Sequence, residues 1–138
     1  SGVLMKNALD VADLLADLRK RGYITEDLTE NEVAKLHIRH MVGGRAPVEM
    51  RDELVYRVEF PERPGALLSF LAGLGQRWNI SMFHYRNHGA AYGRIFVGVQ
   101  VKKGDRRKFE AVLDRIKFPY SEETQNRAYQ LYLGSIKE

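Results

Sequence analysis

The segments Phe60-Pro-Glu-Arg-Pro-Gly-Ala-Leu-Leu68, Trp78-Asn-Ile-Ser-Met-Phe-His-Tyr-Arg86 and Tyr92-Gly-Arg94 compress four structural events into a short span. A strand ends, a Pro-Gly turn follows, a helix begins and a second strand returns. That order sets the N–H groups of a helix N-terminus beside a strand exit, which suits a small carboxylate. No residue in it combines a nucleophile with a partnered base. The reading at this point is binding without chemistry.

Outward from this core, Leu54, Tyr56, Val58 and Phe60 alternate with Val55, Arg57 and Glu59, the period of a half-buried strand. Pro64-Gly65 opens a helix with Leu67, Phe70, Leu71 and Leu74 on its apolar face, closed by Gly75. A second strand is predicted over Ile80 to Arg86. Asn87-His-Gly89 then turns the chain into a third strand carrying Ile95, Val97, Val99 and Val101. Gly104-Asp105 ends that strand and caps a helix with Phe109, Val112, Leu113 and Ile116 at i, i+3, i+4 and i+7. Phe118-Pro-Tyr120 leads to a short fourth strand, and Tyr129, Leu131 and Leu133 suggest one more extended piece. The order βαββαβ is α+β and ferredoxin-like. Its antiparallel sheet carries two helices on one face, so the other face needs polar side chains or a partner.

Upstream the pattern is sparser. Leu9, Leu14, Leu15 and Leu18 recur near helical spacing before a capping Gly22, and Tyr23-Ile24-Thr25 reads as extended. Thr29 and Glu32 form a capping box for a second helix lined by Val33, Leu36 and Met41, stopped at Gly43-Gly44. This partial helix-strand-helix segment has too few elements for its own core. We expect residues 1–46 to be the remnant of a preceding domain plus a connecting helix, and 47–138 to be a complete domain.

Composition narrows the function classes. The 138 residues include no cysteine, which removes disulfides, thiolate metal sites and cysteine nucleophiles together. No apolar run reaches the ~20 residues a membrane span requires, and the N-terminus lacks the apolar region of a signal peptide. Net charge is +4, from 22 basic and 18 acidic residues spread along the chain, so charge alone does not nominate nucleic acid. RNA-recognition domains share the topology, but Tyr92 to Val99 match their signature strand only at Gly93, Phe96 and Val97. Arg94 stands where a stacking aromatic is needed. His37 with His40, and His84 with His88, have no third ligand of convincing spacing, so no metal is expected. No catalytic residue is assigned, since there is neither a nucleophile elbow nor a paired carboxylate.

The string from Phe60 to Arg94, with Asn79-Ile80 opening the second strand, resembles the ACT-like regulatory domains of biosynthetic threonine dehydratase. Asp27-Leu28, Ala34-Lys-Leu-His37 and Met41-Val-Gly-Gly-Arg45 resemble the segment joining the two ACT-like halves of that region, so the likeness covers nearly the whole chain. The resemblance implies an allosteric domain with isoleucine as inhibitor and valine as opposing effector, serving isoleucine biosynthesis in the cytoplasm. It implies a catalytic domain outside this chain that uses pyridoxal phosphate (PLP) to convert threonine to 2-oxobutanoate and ammonia. It also implies a homo-dimer or larger assembly. No lysine in the Schiff-base setting and no glycine-rich phosphate loop is found here, so no cofactor is expected in this chain. Ala91 departs from the family, which carries a polar or acidic residue there.

An amino-acid effector needs three receptors. The N–H groups at Pro64-Gly65-Ala66-Leu67 are expected to take its carboxylate, helped by the helix dipole at ~0.3–1 kcal/mol. Leu67, Leu71, Leu74, Ile80 and Phe83 are the candidate apolar wall, with Tyr85 beside them, and Asn79 is the candidate for the ammonium. The bland alternative is that the leucines are plain core and the domain is an oligomerisation scaffold.

Overall fold

The computed structural model describes residues 8–38, 52–75, 77–87, 89 and 91–134. They fall into two compact units, Ser1–Glu30 and Asn31–Glu138.

In the first unit, helix α1 spans Ala8–Lys20. Tyr23 N–H donates to Leu18 O and Gly22 N–H to Arg19 O, both at 3.0 Å, with Gly22 at φ +82°. This is the paired bonding of a Schellman cap, as the sequence suggested for Gly22. The piece Tyr23-Ile24-Thr25 pairs with no strand among the described residues. Thr25 instead accepts from the Arg19 guanidinium at 3.1 Å.

The second unit begins with α2 (Glu32–Leu36). Its cap is Asn31, whose side chain accepts from Ala34 N–H at 3.0 Å, and not Thr29. Thr29 N–H is turned back onto the Asp27 carboxylate at 2.9 Å, so the chain is still in a turn there and the helix starts later. Met41, the Gly43-Gly44 stop and the boundary at 46/47 lie outside the described residues.

Strands β1 (Glu53–Pro61), β2 (Asn79–Asn87), β3 (Tyr92–Gln100) and β4 (Tyr120–Glu122) form one antiparallel sheet in the order β2-β3-β1-β4. Helices α3 (Ala66–Leu74) and α4 (Arg106–Ile116) lie on one face. There Tyr56, Val58 and Phe60 of β1 and Ile95, Val97 and Val99 of β3 close on Phe70 and Leu74 of α3 and Phe109 and Leu113 of α4. These are the alternating and helical positions read from the sequence. Leu67 and Leu71 are partly buried against the same core.

The other face is covered within the same chain. Residues Tyr129 and Leu133, read as extended, belong to a helix and its C-cap: α5 spans Arg127–Tyr132. Asn126 caps it, accepting from Ala128 N–H at 2.9 Å. Three apolar residues at period two cannot outweigh such a cap. Val33 of α2 and Tyr129 of α5 pack with Val55 and Phe96 of the sheet, joined by Ile38, Met82 and Leu133. Burying Val33 and Val55 this way is worth ~1.5–3 kcal/mol per side chain.

Candidate functional site

The first strand–helix junction is built as a tight exposed turn. Arg63 N–H donates to Pro61 O at 2.8 Å, Ala66 N–H to Arg63 O at 3.2 Å, and Ser69 N–H to Gly65 O at 2.8 Å. Pro64 and Gly65 are exposed, and Gly65 caps α3 at φ +82°, a backbone region costly to residues with a Cβ. Of the predicted carboxylate seat, Ala66 N–H is turned into the turn itself. The N–H groups of Leu67 and Leu68 belong to the first helical turn, which has no internal acceptors. Leu68 is one of the most exposed apolar residues of this unit, at 70 %.

Three further segments converge there. Glu62 N–H donates to Ala91 O at 2.9 Å, tying the junction to the β2–β3 connection. The Tyr85 hydroxyl donates to Glu62 Oε1 at 2.6 Å, and its ring lies 5.8 Å from that of Phe60. That bond holds the Tyr85 hydroxyl above the usual phenol range, because the Glu62 carboxylate accepts its hydrogen and so favours the protonated form. Gly93 makes the approach possible. A Cβ there would stand 2.4 Å from Glu62 Oε1 and 2.8 Å from Phe60 Cζ. Glu62 and Gly93 were not among the residues the sequence nominated for the site, and Glu62, the only acid between Phe60 and Leu68, was the available signal.

Register divides the predicted residues. Phe60 pairs with Gly93 and Gly93 with Asn87, whereas Asn79 pairs with Gln100 and Gln100 with Glu53. Pro64, Gly65, Ala66 and Tyr85 thus gather at one end of the sheet. Asn79 and Ile80 stand at the other end, roughly 20 Å away at ~3.3 Å per residue. Asn79 Nδ2 donates to Gln100 Oε1 at 2.6 Å, at the end of the sheet away from the junction. Leu74 is 2 % exposed and a core residue. A register shift between Ile80 and Met82 puts Ile80 opposite Val99, on the same face as Phe83 and Tyr85. All three are 37–40 % exposed, and together they make an apolar strip along the edge strand.

On the second face, His37 and His84 meet, each having been matched in sequence to another histidine. Their Nδ1 atoms are 2.8 Å apart. Nearby, Glu53 accepts from Ser81 and from the Tyr129 hydroxyl. Burial, with that carboxylate, pushes the Tyr129 phenol up. Among the described residues no group of three His, Asp or Glu is placed to hold a metal ion. A shallow crevice of about 210 Å³ is lined by Arg57, Glu59, Pro119, Tyr120 and Ser121, away from the junction. Its Arg57 is ion-paired with Glu123 at 3.2 Å and Glu32 at 3.8 Å. No helix among the described residues is long and apolar enough to cross a membrane.

Four antiparallel strands in this order, with α3 and α4 on one face, define an α+β domain of the ferredoxin-like, ACT-like class. The chain belongs to the family of the C-terminal regulatory domain of threonine dehydratase, whose pattern residues 44–133 match. It is 49 % identical over 133 residues to the L-threonine dehydratase biosynthetic IlvA of Burkholderia multivorans, covering 96 % of this chain and 26 % of that protein. It is 44 % identical over 135 residues to the same enzyme of Escherichia coli, with equal coverage. Against the mitochondrial threonine dehydratase of Saccharomyces cerevisiae it is 40 % identical over 124 residues, 90 % of this chain and 21 % of that protein. The chain thus spans about a quarter of the length of the curated relatives it matches.

Proposed function

We propose that this domain senses branched-chain amino acids for a PLP-dependent threonine dehydratase of the cytoplasm. Isoleucine acts as inhibitor and valine as opposing effector, and the catalytic domain is the covalent partner. The family assignment supports the regulatory role, and the junction supports an amino-acid ligand. The single observation that carries the site is Glu62 held by Tyr85 beside the first turn of α3. Leu67 and Leu68 N–H groups receive the ligand carboxylate, and Glu62 receives its ammonium. Leu67, Phe83 and Tyr85 wall its side chain.

Isoleucine exceeds valine by one methylene, worth ~0.8 kcal/mol or about fourfold in affinity. Pocket filling alone does not make one an inhibitor and the other an activator, so the two effectors favour different conformations or different sites. Calorimetric titration with isoleucine and valine, with leucine and threonine as controls, tests the reading. Heat from isoleucine alone or with valine supports it. Silence from all four, repeated on a chain extended upstream, removes it.

The second reading is an oligomerisation scaffold. The apolar strip Ile80, Phe83 and Tyr85 on edge strand β2 favours it, since such an edge invites pairing. It is compatible with effector binding, and a homo-dimer or larger assembly is the expectation. Light scattering at tens of micromolar checks it, and a monomer there removes it.

A further inference from the structure

We propose that His37 and His84 form a proton-operated latch: the neutral pair holds α2 against the second face of the sheet, and a proton taken up by the pair releases α2 while the strand ladders stay intact. This goes beyond effector binding and does not depend on it.

The geometry is that of a part-buried imidazole–imidazole hydrogen bond, with His37 the buried member. His37 is the C-cap of α2, where its own N–H donates to Val33 O at 2.9 Å, and it is 0 % exposed. Its ring stacks on Phe96 of β3 at 5.0 Å and 24°, and meets His84 of β2 edge-on at 5.1 Å and 84°. At 2.8 Å one Nδ1 must carry a hydrogen and the other a lone pair. His37 Nε2 is buried without a partner. A bare acceptor is less costly there than a buried N–H with nothing to receive it. The hydrogen therefore sits on His37 Nδ1, donated to His84 Nδ1.

Among the described residues no carboxylate is placed against His37 to offset a further proton on its ring. The positive groups facing His37 are Arg57 on β1, Arg86 on β2 and Arg94 on β3, and His84 on β2 would join them on taking up a proton. The described carboxylates near them are engaged with the arginines or with hydroxyl donors. Glu123 and Glu32 pair with Arg57, Glu59 pairs with Arg94 at 3.4 Å, and Glu53 accepts from Tyr129 of α5 and from Ser81. On α2 itself stand Glu32 and Lys35. Burial first, then the His84 and arginine charges, depress the His37 imidazole to about 3.

The sign follows from that depression. Docked α2 excludes the proton that a free histidine takes up near pH 6.5. The docking free energy is therefore complete above that value and falls as pH drops toward 3, by up to tenfold in the docked population per pH unit. The release is local because α2 is short and rests on one small apolar cluster with Val55, Phe96 and Tyr129. The larger core under α3 and α4 contains no histidine.

Hydrogen exchange of the 138-residue chain from pH 7.5 to 5, read as protection factors, tests the latch. Protection at Lys35 and His37 should fall about tenfold per unit below pH 6.5, while β1 and β3 amides keep theirs. His37→Phe keeps a ring on Phe96 but cannot titrate, and its α2 should stay protected at pH 5. Acid loss of equal size in this variant overturns the proposal. If the variant does not fold, the ring-nitrogen NMR shifts of the unaltered chain decide. A neutral His37 bearing its hydrogen on Nδ1 while α2 is protected sustains the latch. An imidazolium at His37 with α2 still protected overturns it.

Discussion

Asn31 Nδ2 donates to Asn126 Oδ1 at 3.0 Å, so the side chain that caps α2 is bonded to the side chain that caps α5. Each asparagine also accepts from its own helix, at Ala34 and Ala128. Two helices far apart in sequence are thereby started from one polar node. Asn126 Nδ2 extends it to the Glu123 carboxylate at 2.7 Å.

That node should be measurable as a coupling. Asn31→Ala should lower stability by ~1 kcal/mol, the usual loss of a side-chain cap. Asn126→Ala should cost about the same, and the pair together should differ from the sum by ~0.5–1.5 kcal/mol. Urea unfolding of the two single variants and the double variant closes the cycle, and strict additivity would show the node to be incidental.

Gly93→Ala should displace the Glu62–Tyr85 contact, because the new Cβ would meet Glu62 and Phe60 well inside contact distance. A loss of ~1–3 kcal/mol in thermal or urea unfolding is expected from such overpacking. Gly104→Ala is the control, since nothing lies within 4 Å of its Cβ position.

If Glu62 receives an effector ammonium, Glu62→Gln should weaken isoleucine binding ~10-fold or more, the worth of a hydrogen bond to a charged group. Tyr85→Phe should weaken it less, because it removes only the group that orients the carboxylate. Asn79→Ala should leave the affinity unchanged, since Asn79 stands at the opposite end of β2. Calorimetry on the three variants separates these outcomes.

Phe70 is 0 % exposed at the centre of the α3 contact with the sheet, and Phe70→Ala should cost ~3–5 kcal/mol. Phe83 is 39 % exposed on the edge strand, so Phe83→Ser should lower the unfolding free energy by only ~1–2 kcal/mol. Light scattering on the second variant, under conditions where it remains folded, then reads self-association.

At the alkaline end, burial of Tyr56 pushes its phenol up to about 12. A group whose folded value is raised contributes stability that is complete below the unfolded value near 10 and is lost as pH climbs toward 12. The absorbance of phenolate should therefore include a late component that appears together with loss of the far-UV circular dichroism signal. Tyr56→Phe also removes a buried hydroxyl without a partner, and should shift that alkaline unfolding to higher pH.

Much of the fold was legible because it rests on local repetition. The alternation from Leu54 to Phe60 and the helical spacing from Phe109 to Ile116 each report one buried face, and both are found where periodicity put them. Readings failed where the deciding partner was distant or the signal was a single polar residue. Tyr129 faces Phe96 from a helix that Asn126 starts, and Asn31 takes the cap that Thr29 could have held. The junction at Pro64 and Gly65 was legible as a turn, since Pro and Gly punctuate the backbone directly. That Glu62 meets Tyr85, and that Asn79 lies a sheet-length away, depends on strand register, which no short stretch encodes.

The register shift at Ser81 leaves β2 with two phases. Residues up to Ile80 count odd and even one way, and residues from Met82 onward count them the other way. A relative with one residue fewer at this point would pair as an unbroken ladder, keeping Asn79 and Ile80, as well as every side chain from Met82 to Asn87, on the surfaces they hold here. Loss of that single residue would thus cost the Ser81 contact with Glu53 and leave both halves of the strand, including the one that carries Tyr85 and His84, facing as they do.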